Sequence, residues 1–249
     1  MENTGIMRLE KLFRGSPGAR IVGDGGVEIE GIAEDSREVR RGFLFASLKG
    51  TRSDGERFVQ DALAKGAAAI LAQEGSSLRE RFPSIPFVVS QNPRTTLAEA
   101  AGAFHGNPSE FLAAAGITGT NGKTTTSYLI RQLWEGRGVP AGWIGTVGYA
   151  VGSRFLPSSH TTPGALRLQS LLAEMRAAGM KAVSMEVSSH ALDQSRAGAG
   201  QRTLTFRWSF KTLPAGSRAT FSDAAAPRPS FRADVAGTYV VQLVASDGV

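Results

Sequence analysis

The stretch GITGTNGKTTTSYLI, residues 116–130, constrains the fold more than any other part of the chain. Apolar residues run into a turn bracketed by Gly119 and Gly122, and an apolar pattern at helical spacing follows it. A phosphate cradle needs glycines that let backbone N–H groups turn inward, a helix N-terminus, a Lys for the outer phosphates and a hydroxyl for Mg²⁺. Gly119, Thr120, Asn121, Gly122, Lys123, Thr124 and Thr125 meet these needs, with Lys123 as the charge and Thr124 as the metal-facing hydroxyl. The familiar spelling has Gly where this chain has Ile117, so the loop is a shortened form. These residues do not by themselves choose ATP over GTP.

A strand–loop–helix of this kind belongs in an α/β fold, and the flanking sequence agrees. GFLFASL, AAAIL and PFVVS read as strands, ERFVQDALAKG and RTTLAEAAGAFHG as helices closed by Gly66 and Gly106. GNPSE, residues 106–110, marks a domain boundary, giving an α/β domain over 1–108. In the next block EFLAAAGIT leads into the loop, and Leu129, Ile130, Leu133 and Trp134 recur at helical spacing after it. AGWIGTVGYA is strand-like. HTTPGALRLQSLLAEMRAAGM reads as a helix with Thr162 at the N-cap, Pro163 at the first helical position, and Leu168, Leu171, Leu172 and Met175 on one face. KAVSMEVSSH is a buried strand that finishes in polar residues, where open parallel sheets place their ligands. Trp134 and Trp143 are expected in the core, and His105 as a capping cation at a helix end.

Composition narrows the function classes. At 249 residues the chain is long enough for two ordinary domains, and without Cys it has no disulfide, thiolate nucleophile or Cys-bound zinc. No segment approaches the apolar length of a membrane span, and the start lacks a secretory pattern, which favours the cytoplasm. Of the net charge of +6, half lies beyond Ala197, and no Lys/Arg run is interleaved with aromatics as nucleic-acid binding would require.

The shortened loop Gly-Thr-Asn-Gly-Lys-Thr resembles that of the Mur ligase superfamily, ATP-dependent amide-bond ligases of peptidoglycan synthesis and their folate-glutamylating relatives. The stretch EDSREVRRGFLFASLKGTRSDGERFVQDALAKGAAAIL looks like that family's uridine-nucleotide-binding first domain. GITGTNGKTTT, IGTVGY, TTPGALRLQ and MEVSSHALDQSR are similar, in order, to its central ATP-binding domain, giving a partial domain over 109–196. The last motif points to the branch that adds a third residue, diaminopimelate or lysine, to UDP-N-acetylmuramoyl-L-alanyl-D-glutamate. The resemblance implies that Gly119 to Thr125 hold the ATP phosphates, with Lys123 as the catalytic cation, and that Thr124 and Glu186 bind Mg²⁺. It implies that Ser36 and Arg37 hold the uridine moiety, and Thr161, Thr162, Ser188, Gln194 and Arg196 the sugar, diphosphate or dipeptide. His160 stands where the family often has Asn. The implied reaction activates the substrate's terminal carboxylate as an acyl phosphate, which an amine then attacks; it demands charge neutralisation more than covalent catalysis.

The resemblance stops at Arg196. The family's following Asp-His segment, carbamylated Lys and amino-acid-binding third domain are not found, so the chain is expected to be a truncated ligase that cannot turn over alone. Residues 197–249 instead read as all-β, with LTFRWSF alternating at period two, GTYVVQLVASDG as a second strand and turn-rich text between them, and residues 202–248 resemble part of a PKD or immunoglobulin-like sandwich. This partial all-β tail is about half of the roughly 100 residues a complete sandwich uses. Its FRWSF face is expected to lie uncovered and to favour self-association. Two other readings stay open: a folylpolyglutamate-type ligase, and a non-catalytic UDP-sugar-binding or chimeric fragment.

Overall fold

The computed structural model describes residues 5–49, 54–158, 161–188, 205–226 and 229–246. The chain forms two compact units, Met1–Gly200 and Gln201–Val249.

The first unit opens with a ribbon of β1 (Met7–Arg8) and β3 (Glu28–Ile29), with α1 (Leu9–Leu12) following β1. A five-stranded sheet is built from β2 (Ala19–Val22), β4 (Gly31–Ala33), β5 (Phe43–Ala46), β6 (Ala69–Gln73) and β7 (Phe87–Ser90), in the order β2-β7-β6-β5-β4. Strands β4 to β7 run parallel and β2 closes one edge antiparallel. Alternation along the strands feeds two cores, as strands covered on both faces require. Leu44, Ala69, Leu71 and Val88 face one side, packed with Leu9, Leu12, Leu97 and Ala100 of α1 and α4 (Pro93–Phe104). Phe45, Ile70, Phe87 and Val89 face the other, under Val59 and Ala62 of α2 (Val59–Ala64) and Leu78 of α3 (Leu78–Arg81).

Local signals fix these helices. The stretch expected as one helix from Glu56 starts as a 3₁₀ turn, Gly55–Phe58, because the Asp54 carboxylate accepts from Glu56 N at 3.0 Å. Helix α4 starts with Pro93 behind an Asn92 cap that accepts from Thr95 N. At its end His105 stands at the C-cap, where the sequence placed it, but burial pushes its imidazole below its ordinary pKa and Glu174 only partly offsets this, so the site disfavours a cation.

The central sheet comprises β8 (Ala113–Ile117), β9 (Ala141–Ile144), β10 (Gly148–Val151), β11 (Arg154–Pro157) and β12 (Ala182–Glu186), ordered β11-β10-β9-β12-β8. Strands β8, β12 and β9 are parallel, whereas β10 and β11 are antiparallel. AGWIGTVGYA is therefore two strands broken after Ile144, not one. Helix α6 (Ala165–Ala177) covers one face, with Leu168, Leu171, Leu172 and Met175 against Ile144, Tyr149, Val183 and Met185.

Helix α5 (Lys123–Gly136) lies on the other face but buries only Ser127, while Leu129 and Leu133 are 56% and 67% exposed. Trp143, almost fully buried, donates from Nε1 to Ser127 Oγ at 2.9 Å. The two sheets share packing through α6, whose Leu166 lies against the core beneath α4. Arg176, near the end of α6, sets its guanidinium carbon 3.4 Å from the Phe111 ring centroid and donates from Nη1 to Gly106 O.

In the second unit β13 (Thr205–Thr212) and β14 (Val240–Ser246) form an antiparallel pair. Within FRWSF, Trp208 and Phe210 are not bare as the sequence suggested. Phe221 of the connecting segment stacks on Phe210 at 4.4 Å, and Phe231 meets it edge-on at 5.0 Å. The Tyr239 hydroxyl bonds back to Val235 O at 2.7 Å and contacts Asp234 Oδ1 at 2.9 Å. Bonds from Ser217 Oγ and Arg218 N hold the Asp234 carboxyl down at about 2.

Candidate active site

The phosphate-type loop sits at the carboxyl end of β8. Its conformation explains its glycines: Gly119 has φ of 146° and Gly122 of 79°, both in the region that favours residues without Cβ. Gly122 is the N-cap, and α5 begins at Lys123. The loop is exposed from Thr118 to Gly122, with the N–H groups and positive dipole end of α5 behind it. Lys123 Nζ folds over the loop and donates to Gly119 O at 2.7 Å and Thr120 O at 3.4 Å. Glycine conformation, helix start and ammonium together fit a polyphosphate.

The carboxylate beside this loop is Glu186. Register pairs Glu186 with Ile117, the residue before the loop begins, so both lie on one rim of the sheet. Glu186 is 1% exposed and oriented by a residue that sequence reasoning did not single out, Thr146. Thr146 N donates to Oε1 at 2.8 Å, and Thr146 Oγ1 lies 3.1 Å from Oε2. The same hydroxyl is 3.1 Å from Thr161 Oγ1; having one proton, it donates to the carboxylate and accepts from Thr161. The available signal was IGTVGY, whose Thr stands at the break between β9 and β10.

Thr162 is not the N-cap of α6, which is Gly164. Its hydroxyl is drawn to the end of β12, donating to Glu186 O at 2.9 Å and accepting from Ser188 N at 3.0 Å. Thr161, Thr162, Ser188 and Glu186 thus form one cluster. Among the described residues no group of three or more His, Asp or Glu side chains can hold a metal by itself. Each Glu186 oxygen keeps a lone pair beyond its Thr146 bond.

Ser36 and Arg37 lie beyond the carboxyl end of β4. Ser36 is buried and its carbonyl accepts from Lys65 Nζ at 2.8 Å. Arg37 is exposed and forks onto Asp35, holding that carboxyl at about 2. The turn reaches the central module: a Cβ added at Gly164 would lie 3.2 Å from Glu34 Oε1. Beside it, at the ends of β5, β6 and β7, opens a cleft of about 310 Å³ lined by Ser47, Lys49, Asp54, Gln73, Asn92 and Arg94 among others. The sequence reading missed this cleft. Polar residues just past three strand ends were its signal, and Ser47 Oγ is buried there without a partner. Gln194, Arg196 and His160 fall outside the described residues.

Two family models match the chain, the Mur ligase family catalytic domain over residues 28–117 and the Mur ligase middle domain over 117–202. A curated relative from Geobacter sulfurreducens, named UDP-N-acetylmuramoyl-L-alanyl-D-glutamate--2,6-diaminopimelate ligase, is 41% identical over 191 residues, covering 76% of this chain and 37% of the relative. A relative of the same name from Streptomyces coelicolor is 45% identical over 176 residues, covering 71% and 35%. A solved structure bearing that enzyme name superposes with a TM-score of 0.64 at 27% identity, over 79% of this chain and 39% of that one. The chain therefore spans little more than a third of the length of the curated relatives it matches.

Proposed function

Residues 28–202 belong to the Mur ligase family, and from that premise we propose that the chain carries the substrate and ATP-phosphate sites of a cell-wall precursor ligase. The reaction is addition of a diamino acid, diaminopimelate or lysine, to UDP-N-acetylmuramoyl-L-alanyl-D-glutamate. The observation that carries this reading is the shared rim, with Glu186 opposite Ile117 and its carboxylate set by Thr146 and Thr161 immediately beside the glycine loop. Residues 1–108 form the UDP-substrate domain and 109–196 part of the ATP-binding domain.

Each group has a role in this reading. The α5 N-terminus and residues Gly119 to Thr125 cradle phosphates, and Lys123 exchanges two carbonyls of its own loop for phosphate oxygens. Thr124 and Glu186 hold Mg²⁺, which when bound with ATP supplies charge neutralisation for carboxylate activation. Thr161, Thr162 and Ser188 orient the substrate's diphosphate and peptide from the same rim, with Gln194 and Arg196 next in sequence. Ser36, Arg37 and the cleft around Ser47 take the uridine part. The middle-domain match ends at 202 and a different unit begins at Gln201, so the chain binds these ligands without completing turnover. Residues 197–249 are a partial PKD-like segment, and the chain works in the cytoplasm, where its substrates are made.

Titration calorimetry on the full chain with UDP-N-acetylmuramoyl-L-alanyl-D-glutamate and with Mg·ATP tests the reading. Binding of both is expected, with the ATP signal lost in Lys123→Ala, and no tripeptide by mass spectrometry when either diamino acid is added. Tripeptide formation would overturn the truncation. Binding of a pteroylglutamate in place of the UDP-sugar would move the chain to the folate-type branch.

A further inference from the structure

The break between β9 and β10 is a tight turn, closed by the bond from Gly145 N to Gly148 O at 3.0 Å. It lies against the buried Glu186 side chain: a Cβ built at Gly145 would stand 2.5 Å from Glu186 Oε1. The turn thus fixes the place of Thr146. Its N–H holds Glu186 Oε1 at 2.8 Å, and its hydroxyl lies 3.1 Å from Glu186 Oε2 and 3.1 Å from Thr161 Oγ1. Glu186 is buried, whereas Thr146 is exposed and Thr161 half-buried, so the two hydroxyls lead from the carboxylate to the open side of the rim.

One hydroxyl proton therefore faces two acceptors at equal distance. Pointed at Glu186, it occupies a lone pair of Oε2 and leaves Thr161 to donate inward. Turned about the Cβ–Oγ bond, it goes to Thr161 Oγ1, frees Oε2 and releases the Thr161 proton to an acceptor outside. A cation at Oε2 favours the second arrangement, because its charge repels a proton aimed at the same oxygen. A phosphate or carboxylate oxygen at Thr161 favours it too, because it draws the Thr161 proton outward. Two ligands that select the same arrangement help one another to bind.

We propose that Thr146 is a positioning residue that couples the two halves of the rim, so that a cation at Glu186 and an acceptor group of the substrate at Thr161 each tighten the binding of the other. The inference rests on the proposed assignment of Glu186 to Mg²⁺ and of Thr161 to the UDP-substrate. The Thr146 N–H keeps the carboxylate in place in either arrangement, so the hydroxyl alone carries the coupling.

Calorimetry on the full chain measures the Kd of UDP-N-acetylmuramoyl-L-alanyl-D-glutamate in saturating β,γ-imido-ATP, once with Mg²⁺ and once with EDTA. The wild-type chain is expected to bind the UDP-substrate about fivefold more tightly with Mg²⁺, the worth of one rearranged hydrogen bond. Thr146→Val, which keeps the N–H and loses the hydroxyl, is expected to abolish the difference, and Thr146→Ser to keep it. Thr161→Val, which leaves the Thr146–Glu186 contact intact, is expected to abolish it as well and decides the matter if Thr146→Val does not fold. A wild-type chain that binds both ligands without the difference, or either valine variant that retains it, would overturn the coupling and leave the assignment of ligands standing. A wild-type chain that binds neither ligand would overturn that assignment and the coupling with it.

Discussion

The two five-stranded sheets of the first unit use the same alternation of strands and helices, yet among the described residues they are covered unequally. The first is covered on both faces, and its helix α4 buries seven residues, including Leu97 and Ala100. Among the described residues the central sheet has a continuous core only beneath α6, and α5, though rich in apolar residues, buries one. Periodicity alone does not place a helix in a core; a neighbour has to be there to receive each face of it.

The sharpest test of this contrast compares leucines. Leu71→Ala, in the doubly covered sheet, is expected to cost about 2–5 kcal/mol in urea unfolding. Leu129→Ala on α5 should stay within about 0.5 kcal/mol. Equal losses would mean that α5 is packed in solution after all. A smaller effect isolates the buried hydrogen bond that ties α5 to β9. Ser127→Ala leaves the buried Trp143 N–H without its acceptor, a loss of about 1–3 kcal/mol in the same unfolding experiment; an unchanged midpoint would show that water replaces the serine.

The smallest effect lies where the two sheets meet. His105 has a folded pKa below its ordinary 6.5, so between the two values the unfolded chain binds more protons than the folded one. Stability should therefore be complete above about pH 6.5 and decline as pH falls toward the folded pKa, and His105→Gln should flatten that slope in denaturation midpoints measured across the window.

Much of this was legible in the sequence, for identifiable reasons. Glycine stops, the Pro93 start and period-two strands are local signals, and the structure keeps them. The glycine loop was readable because Gly119 and Gly122 need conformations few other residues adopt. What stayed hidden depends on distant partners. Thr162 looked like a cap until β12 claimed its hydroxyl, and Thr146 gained meaning only once Glu186 lay beside it. Trp208 and Phe210 looked bare because Phe221 and Phe231, which pack on them, lie within the long turn-rich connection to β14. His105 looked cationic because burial is invisible in sequence.

Arg176 bears on how the first unit can bend. Its guanidinium carbon sits over the Phe111 ring while Nη1 holds the Gly106 carbonyl, so the segment joining the two sheets is clipped to a helix about 70 residues further along. A connection of Gly, Asn and Pro would otherwise be the soft joint between two stiff bodies. Clipped in this way it acts as a strut between α6 and the end of α4, and bending at this joint has to break both contacts first.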